Sequence, residues 1–147
     1  MGDRVYMRIT CHREDALHFE NLGFVEDEAE SEIAISMVDD EANYGHSQPL
    51  RELAGGGVPF FGWHDAGGEY DARVLASEGA EYTEALCTAQ EPRPLAPVNT
   101  DGSIDADGLR EALRYHEVLV RAQLALGVQE EAALREGKTE RDAREGP

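Results

Sequence analysis

Val58-Pro59-Phe60-Phe61-Gly62-Trp63-His64 is apolar on both of its faces, with Val58 and Phe60 on one side and Phe61 and Trp63 on the other. A strand with one solvated face carries polar residues at every second position. This stretch therefore belongs in the middle of a sheet, and Pro59 is tolerable at its start. Downstream, Ala66-Gly67-Gly68 turns the chain into residues 70–76, where Tyr70, Ala72, Val74 and Ala76 alternate inward. Ser77-Glu78-Gly79 turns it again into a strand over 80–87. The three segments read as a hairpin meander.

Upstream, Val5, Met7 and Ile9 alternate with Arg4, Tyr6, Arg8 and Thr10, the pattern of a half-buried strand. A short helix over 13–22 follows, turning Ala16, Phe19 and Leu22 or Leu17 inward, with Gly23 and Phe24 as its C-terminal cap and hydrophobic contact. Residues 28–38 read as one second strand: Ala29, Ser31, Ile33, Ile35 and Met37 on one face, Glu28, Glu30 and Glu32 on the other. Asp39-Asp40-Glu41 and Asn43-Tyr44-Gly45 then read as a loop, and 48–54 as a brief helix ended by Gly55-Gly56-Gly57.

Beyond the meander, Pro92, Pro94 and Pro97 impose an extended connection. A long helix follows, capped by Asp105 or Asp107 and running to Leu126, with Leu109, Leu113, His116, Val120 and Leu124 as its inward stripe. His116 on that stripe reads as a core histidine. The element order β-α-β-α-β-β-β-α predicts an α+β domain over 1–128 with a mostly antiparallel sheet of about five strands. Residues 129–147 read as a charged tail, frayed or disordered.

The 147 residues carry 31 Asp+Glu against 13 Lys+Arg, a formal charge of -18. Residues 1–13 are net +2 and residues 110–147 net -1, so the 22 acids and three arginines of 14–109 (net -19) account for the excess. Residues 14–50 hold 11 acids and no Lys or Arg. No basic cluster exists to neutralise phosphates, which excludes direct nucleic-acid binding. A basic membrane-surface helix and an apolar run of the roughly 20 residues needed for a span are also missing. Two cysteines, Cys11 and Cys87, make no disulfide framework, and the N-terminus has no apolar signal stretch. These features predict a cytoplasmic protein.

Four constellations bear on chemistry. Residues 97–108 align with a calcium loop at Asn99, Asp101, Gly102, Ile104 and Asp105, but Pro97 and Gly108 stand where its first and twelfth ligands belong. A tight Asp-Gly turn before a capped helix fits better. Ala54-Gly55-Gly56-Gly57-Val58 follows a helix and enters a strand, the reverse of a phosphate-cradling loop. Trp63-His64-Asp65 with Glu69 and Asp71 could hold a base or a metal, but no HxH, HxxxH or HExxH spacing supports it; local packing and hydrogen bonding of His64 is the favoured reading.

The fourth is the acidic surface. On a regular strand Glu28, Glu30 and Glu32 would project about 6.8 Å apart, half the phosphate density of a DNA strand at about 3.4 Å. Glu26-Asp27 or Asp39-Asp40-Glu41 would form a second ridge. The sequence thus points to a non-enzymatic acidic binding protein, without cofactor or metal, recognising a basic protein surface. Its sharper form is a nucleic-acid-mimicking inhibitor of a DNA- or RNA-handling complex, of the phage or mobile-element kind. The partner-binding residues are Glu26, Asp27, Glu28, Glu30, Glu32, Asp39, Asp40 and Glu41. Acidity for solubility and charged edge protection are the plainer accounts of the same residues. The alternatives are a metal-assisted hydrolase at His64, Asp65 and Asp71, and an assembly subunit or homodimer built on a Tyr44, Phe61 and Trp63 patch.

Overall fold

A computed structural model describes residues 4–68, 71–88 and 92–128. The expected tail, residues 129–147, and Glu69 and Tyr70 lie outside them. The chain runs β1 (Arg4–His12), α1 (Ala16–Glu20), β2 (Val25–Ala29), β3 (Ala34–Asn43), α2 (Ser47–Gly55), β4 (Pro59–His64), β5 (Arg73–Glu78), β6 (Tyr82–Leu86) and α3 (Ala106–Ala125). The six strands form one sheet in the order β2-β3-β1-β4-β5-β6, antiparallel throughout. The α+β class holds, and β4 is one of the two innermost strands, as its two apolar faces require.

The strand count is six because the strand expected over 28–38 is a hairpin. β2 ends at Ala29, the chain turns through 30–33, and β3 returns, pairing Ala29 with Ile35. The turn contains no Gly, Pro, Asn or Asp. Ser31 makes it instead: its Oγ accepts from the N–H groups of Ile33 (3.3 Å) and Ala34 (3.1 Å). The same hydroxyl donates to the Leu126 carbonyl (2.9 Å), tying the turn to the end of α3. Asp39, Asp40 and Glu41, read as loop, are part of β3.

Each face of the sheet is covered differently. Met7, Ile9, Cys11, Ile35, Met37, Phe60 and Leu75 point to one side and are buried with Phe19, Phe24, Leu50 and Ala54 from α1, α2 and their flanks. Phe19 meets Phe60 and Phe24 edge-on, at 5.6 and 6.0 Å between ring centroids. Leu22 joins this core while Leu17 stays exposed, which resolves the choice in the first helix. On the opposite face, Val74, Ala76 and Ala85 are covered by Tyr115 and Val118 of α3. Helix α3 packs mainly on β4, β5 and β6, and its C-terminal end reaches the β2-β3 turn.

The inward stripe expected for α3 is outward. Leu109, Leu113 and Leu124 are 38%, 57% and 69% exposed, His116 is exposed, and Val120 is half-buried. Tyr115, Val118, Ala122 and Leu126 face the sheet instead. Both sets have helical spacing, so periodicity could not choose between them; the small side chain of Ala122 and the large ring of Tyr115 fit the sheet surface. Asp105 does cap the helix, accepting from Asp107 N (3.1 Å) and Gly108 N (3.3 Å).

At Gly62 the backbones of β1 and β4 come so close that an added Cβ would lie 2.1 Å from the Arg8 carbonyl oxygen. Gly62→Ala forces these two central strands apart and lowers unfolding free energy by about 2 kcal/mol or more, measured by urea titration. The Cys11 thiol is fully buried; burial, then the charges of Asp15 and Glu26, push it from an ordinary 9.0 up to about 12. The folded chain keeps this proton where the unfolded chain loses it, so stability declines as pH rises from 9 to 12. A thiol reagent at pH 8 modifies Cys11 only after unfolding.

Candidate functional site

The eight acids singled out in the sequence fall on the β2-β3 hairpin and its continuation, but they do not form parallel ridges. β2 is an edge strand, exposed at all five residues. Between Glu26 and Glu28 it holds one residue more than β3, a β-bulge at Asp27. A regular strand would send Asp27 and Glu28 to opposite faces; with the bulge, both reach Arg8 on β1. Glu30, in the turn, reaches it as well (3.2 Å).

Arg8 is therefore held by Asp27, by Glu28 at 2.9 Å and by Glu30, and also donates to Ser36 Oγ at 2.8 Å. Ser36 is buried and donates to the Glu28 carbonyl (3.2 Å), which fixes the bulge. Burial opposes the charge on the guanidinium, but the bonds to Asp27, Tyr6 and Glu30 outweigh it and raise the Arg8 pKa. Sequence reading placed Arg8 on the outer face of β1 and missed this role. The signal available was only its isolation: Arg4, Arg8 and Arg13 are the basic residues before a run of 11 acids.

The remaining acids divide. Glu26 and Glu32 are exposed, and Asp40 and Glu41 sit at a second irregularity, where β3 carries an extra residue opposite β1. Glu41 makes an exposed 3.4 Å pair with Arg4, a contact of little energetic weight. Asp39 is not part of the surface. It bonds His46 Nε2 at 2.7 Å, and both side chains are almost wholly buried. The loop that brings His46 back passes through Tyr44, Gly45 and His46, all in left-handed backbone conformation. Gly45 packs on the His64 ring so closely that a Cβ there would be 2.7 Å from it. Nothing in the Asn43-Tyr44-Gly45 sequence marked this histidine–aspartate pair.

His64 is buried at the end of β4, its Nδ1 2.9 Å from the Asp65 carbonyl oxygen. The Asp65 carboxylate accepts from Ala66 N, and Asp71 is exposed. Among the described residues, no group of three or more His, Cys, Asp or Glu side chains could hold a metal ion. In the stretch that resembles a calcium loop, Asp101 accepts from the Ser103 hydroxyl and backbone N–H, and these bonds lower its pKa. It is a turn followed by a capped helix. Phe61 and Trp63 are half-buried on the α3 side of the sheet. Tyr44, in the turn after β3, is exposed.

Compared with known proteins, the chain matches no family model, no curated protein and no solved structure. Among the described residues no helix is long and apolar enough to cross a membrane.

Removing Arg8 leaves Asp27, Glu28 and Glu30 facing one another without their cation. Arg8→Met lowers unfolding free energy by about 1–2 kcal/mol, a figure reduced for the partial exposure of the site. Arg4→Met, which breaks only the surface pair with Glu41, shifts it by less than about 0.5 kcal/mol in the same urea titration.

Proposed function

We propose that this chain is an acidic binding protein whose β2-β3 hairpin takes up a cationic, arginine-bearing protein surface. The observation that supports this reading is Arg8 itself: within the fold, hairpin carboxylates already gather around a guanidinium. Exposed Glu26, Glu32, Asp40 and Glu41 extend the same charge outward along the edge of the sheet. Guanidinium groups suit such a surface because their planar fork bonds carboxylates at two points. A field of net charge -18 also speeds the encounter with a basic partner. Mimicry of a nucleic acid is the sharper form of this proposal. Its partner would be the basic groove of a nucleic-acid-binding protein, engaged by the hairpin edge rather than by a ridge of evenly spaced glutamates.

The test separates placed charge from total charge. One variant carries Glu26→Gln, Glu32→Gln, Asp40→Asn and Glu41→Gln; a second, of equal net charge, carries Glu14→Gln, Glu52→Gln, Asp71→Asn and Glu111→Gln. An arginine-rich synthetic peptide is titrated into each at about 0.1 M salt, where the screening length is about 10 Å. The hairpin variant binds at least about ten-fold more weakly than its charge-matched control, a difference of about 1.4 kcal/mol. Equal loss in both variants, or binding by the unaltered chain that persists undiminished at half-molar salt, overturns the reading.

Self-association is a second reading with its own observation, the exposed Leu109, Leu113 and Leu124 of α3. Helix α3 carries Asp107, Glu111 and Glu117 against Arg110, Arg114 and Arg121, so it is neutral in a strongly acidic chain. Two copies can meet there with least repulsion. Sedimentation gives a dimer that the paired change Leu113→Glu and Leu124→Glu converts to a monomer; a monomer at every concentration dismisses this reading.

A further inference from the structure

Where α3 crosses the sheet, it does not close on β1. A cavity of about 370 Å³ remains between β1, β4 and the second half of the helix. Its size falls in the range of small-molecule sites, about 300–1,000 Å³. Phe61, Trp63 and Tyr115 supply aromatic walls, Leu119 an aliphatic one, and Arg8 and Glu30 stand at its polar end.

The sign of the charge at that end decides what the cavity accepts. Arg8 is in contact with Asp27, Glu28 and Glu30, so one cation is outnumbered by three carboxylates. An incoming anion would have to displace one of them or add to an uncompensated excess. An incoming cation relieves that excess at Glu30 and lies against aromatic faces, which attract positive charge by about 0.5–2 kcal/mol each. The field of the whole chain acts in the same direction.

We propose that this cavity is a binding site for a small organic cation: a quaternary or protonated amine with an aromatic or compact apolar body. The site shares Arg8 and Glu30 with the hairpin cluster but takes its ligand on the α3 side of β1 and β4, against aromatic walls that the hairpin reading does not use.

The chain has one tryptophan, and it lines the cavity, so its fluorescence reports occupancy. The full chain is titrated with benzyltrimethylammonium and with two counterparts of similar shape, neutral benzyl alcohol and anionic phenylacetate. Benzyltrimethylammonium gives a saturable change at a concentration at least about ten-fold below either counterpart, or about 1.4 kcal/mol. Leu119→Phe, which narrows the cavity, and Glu30→Gln, which removes its carboxylate charge, each weaken the cation at least about five-fold, while Glu52→Gln, on α2 across the sheet, does not. Thermal unfolding of each variant close to that of the unaltered chain establishes that the site and not the fold has changed. The proposal is overturned by the lack of saturation with the cation, by equal or tighter binding of phenylacetate, or by cation binding unchanged in a folded Leu119→Phe variant.

Discussion

The bonds that Arg8 makes to Asp27, Glu28 and Glu30 connect the edge of the sheet to one of its two central strands, across the intervening β3. The five residues of β2 are exposed, and among the described residues β3 is its one strand neighbour. An edge strand with three consecutive acids would repel itself and stay loosely paired. The guanidinium removes that repulsion, and the buried Ser36 hydroxyl fixes the bulge that turns Asp27 and Glu28 to the same side. The bulge and the acids also leave a poor template for a further strand, which protects the edge from aggregation.

Arg8 also sets the boundary between the two halves of the α3 face. Beyond it, toward β5 and β6, the sheet is apolar and the helix packs directly, with Tyr115 and Val118 against Val74, Ala76 and Ala85. On the β1 side a cavity separates part of the helix from the sheet. The helix end is held instead by the Ser31 hydroxyl at the Leu126 carbonyl. Hairpin, central strand and helix terminus are thus joined by polar contacts, while both cores on either side of the sheet are apolar. The cavity lies where these two modes of attachment meet.

The nature of the acidic surface changes accordingly. As a sequence, 14–50 is an uninterrupted negative run; as a structure, its carboxylates have different employments. Asp39 is half-buried and paired with His46, Asp27, Glu28 and Glu30 surround Arg8, and Glu26, Glu32, Asp40 and Glu41 are exposed. Formal charge is conserved by these pairings, but the outward field is not. A partner meets fewer free carboxylates than the composition suggests, set at a bulged edge whose spacing differs from that of a regular strand.

The sequence alone determined the elements whose signals are local. The two-sided apolar run of β4, the clean alternation of β1, the Gly23-Phe24 cap and the Asp105 cap each have their cause within a few residues, and each is present. The split of 28–38 was not legible, because Ser31 turns the chain through side-chain hydrogen bonds while the flanking Ala29, Ile33 and Ile35 keep a strand-like period. The facing of α3 was not legible either: two apolar stripes share the helix, and only the shape of the sheet beneath it selects Tyr115, Val118 and Ala122. Arg8 with its three acids, and Asp39 with His46, join residues 7 to 22 positions apart. Local sequence records which side chains can ionise; which of them meet depends on strand order and on one extra residue in β2, and these are fixed only when the sheet assembles.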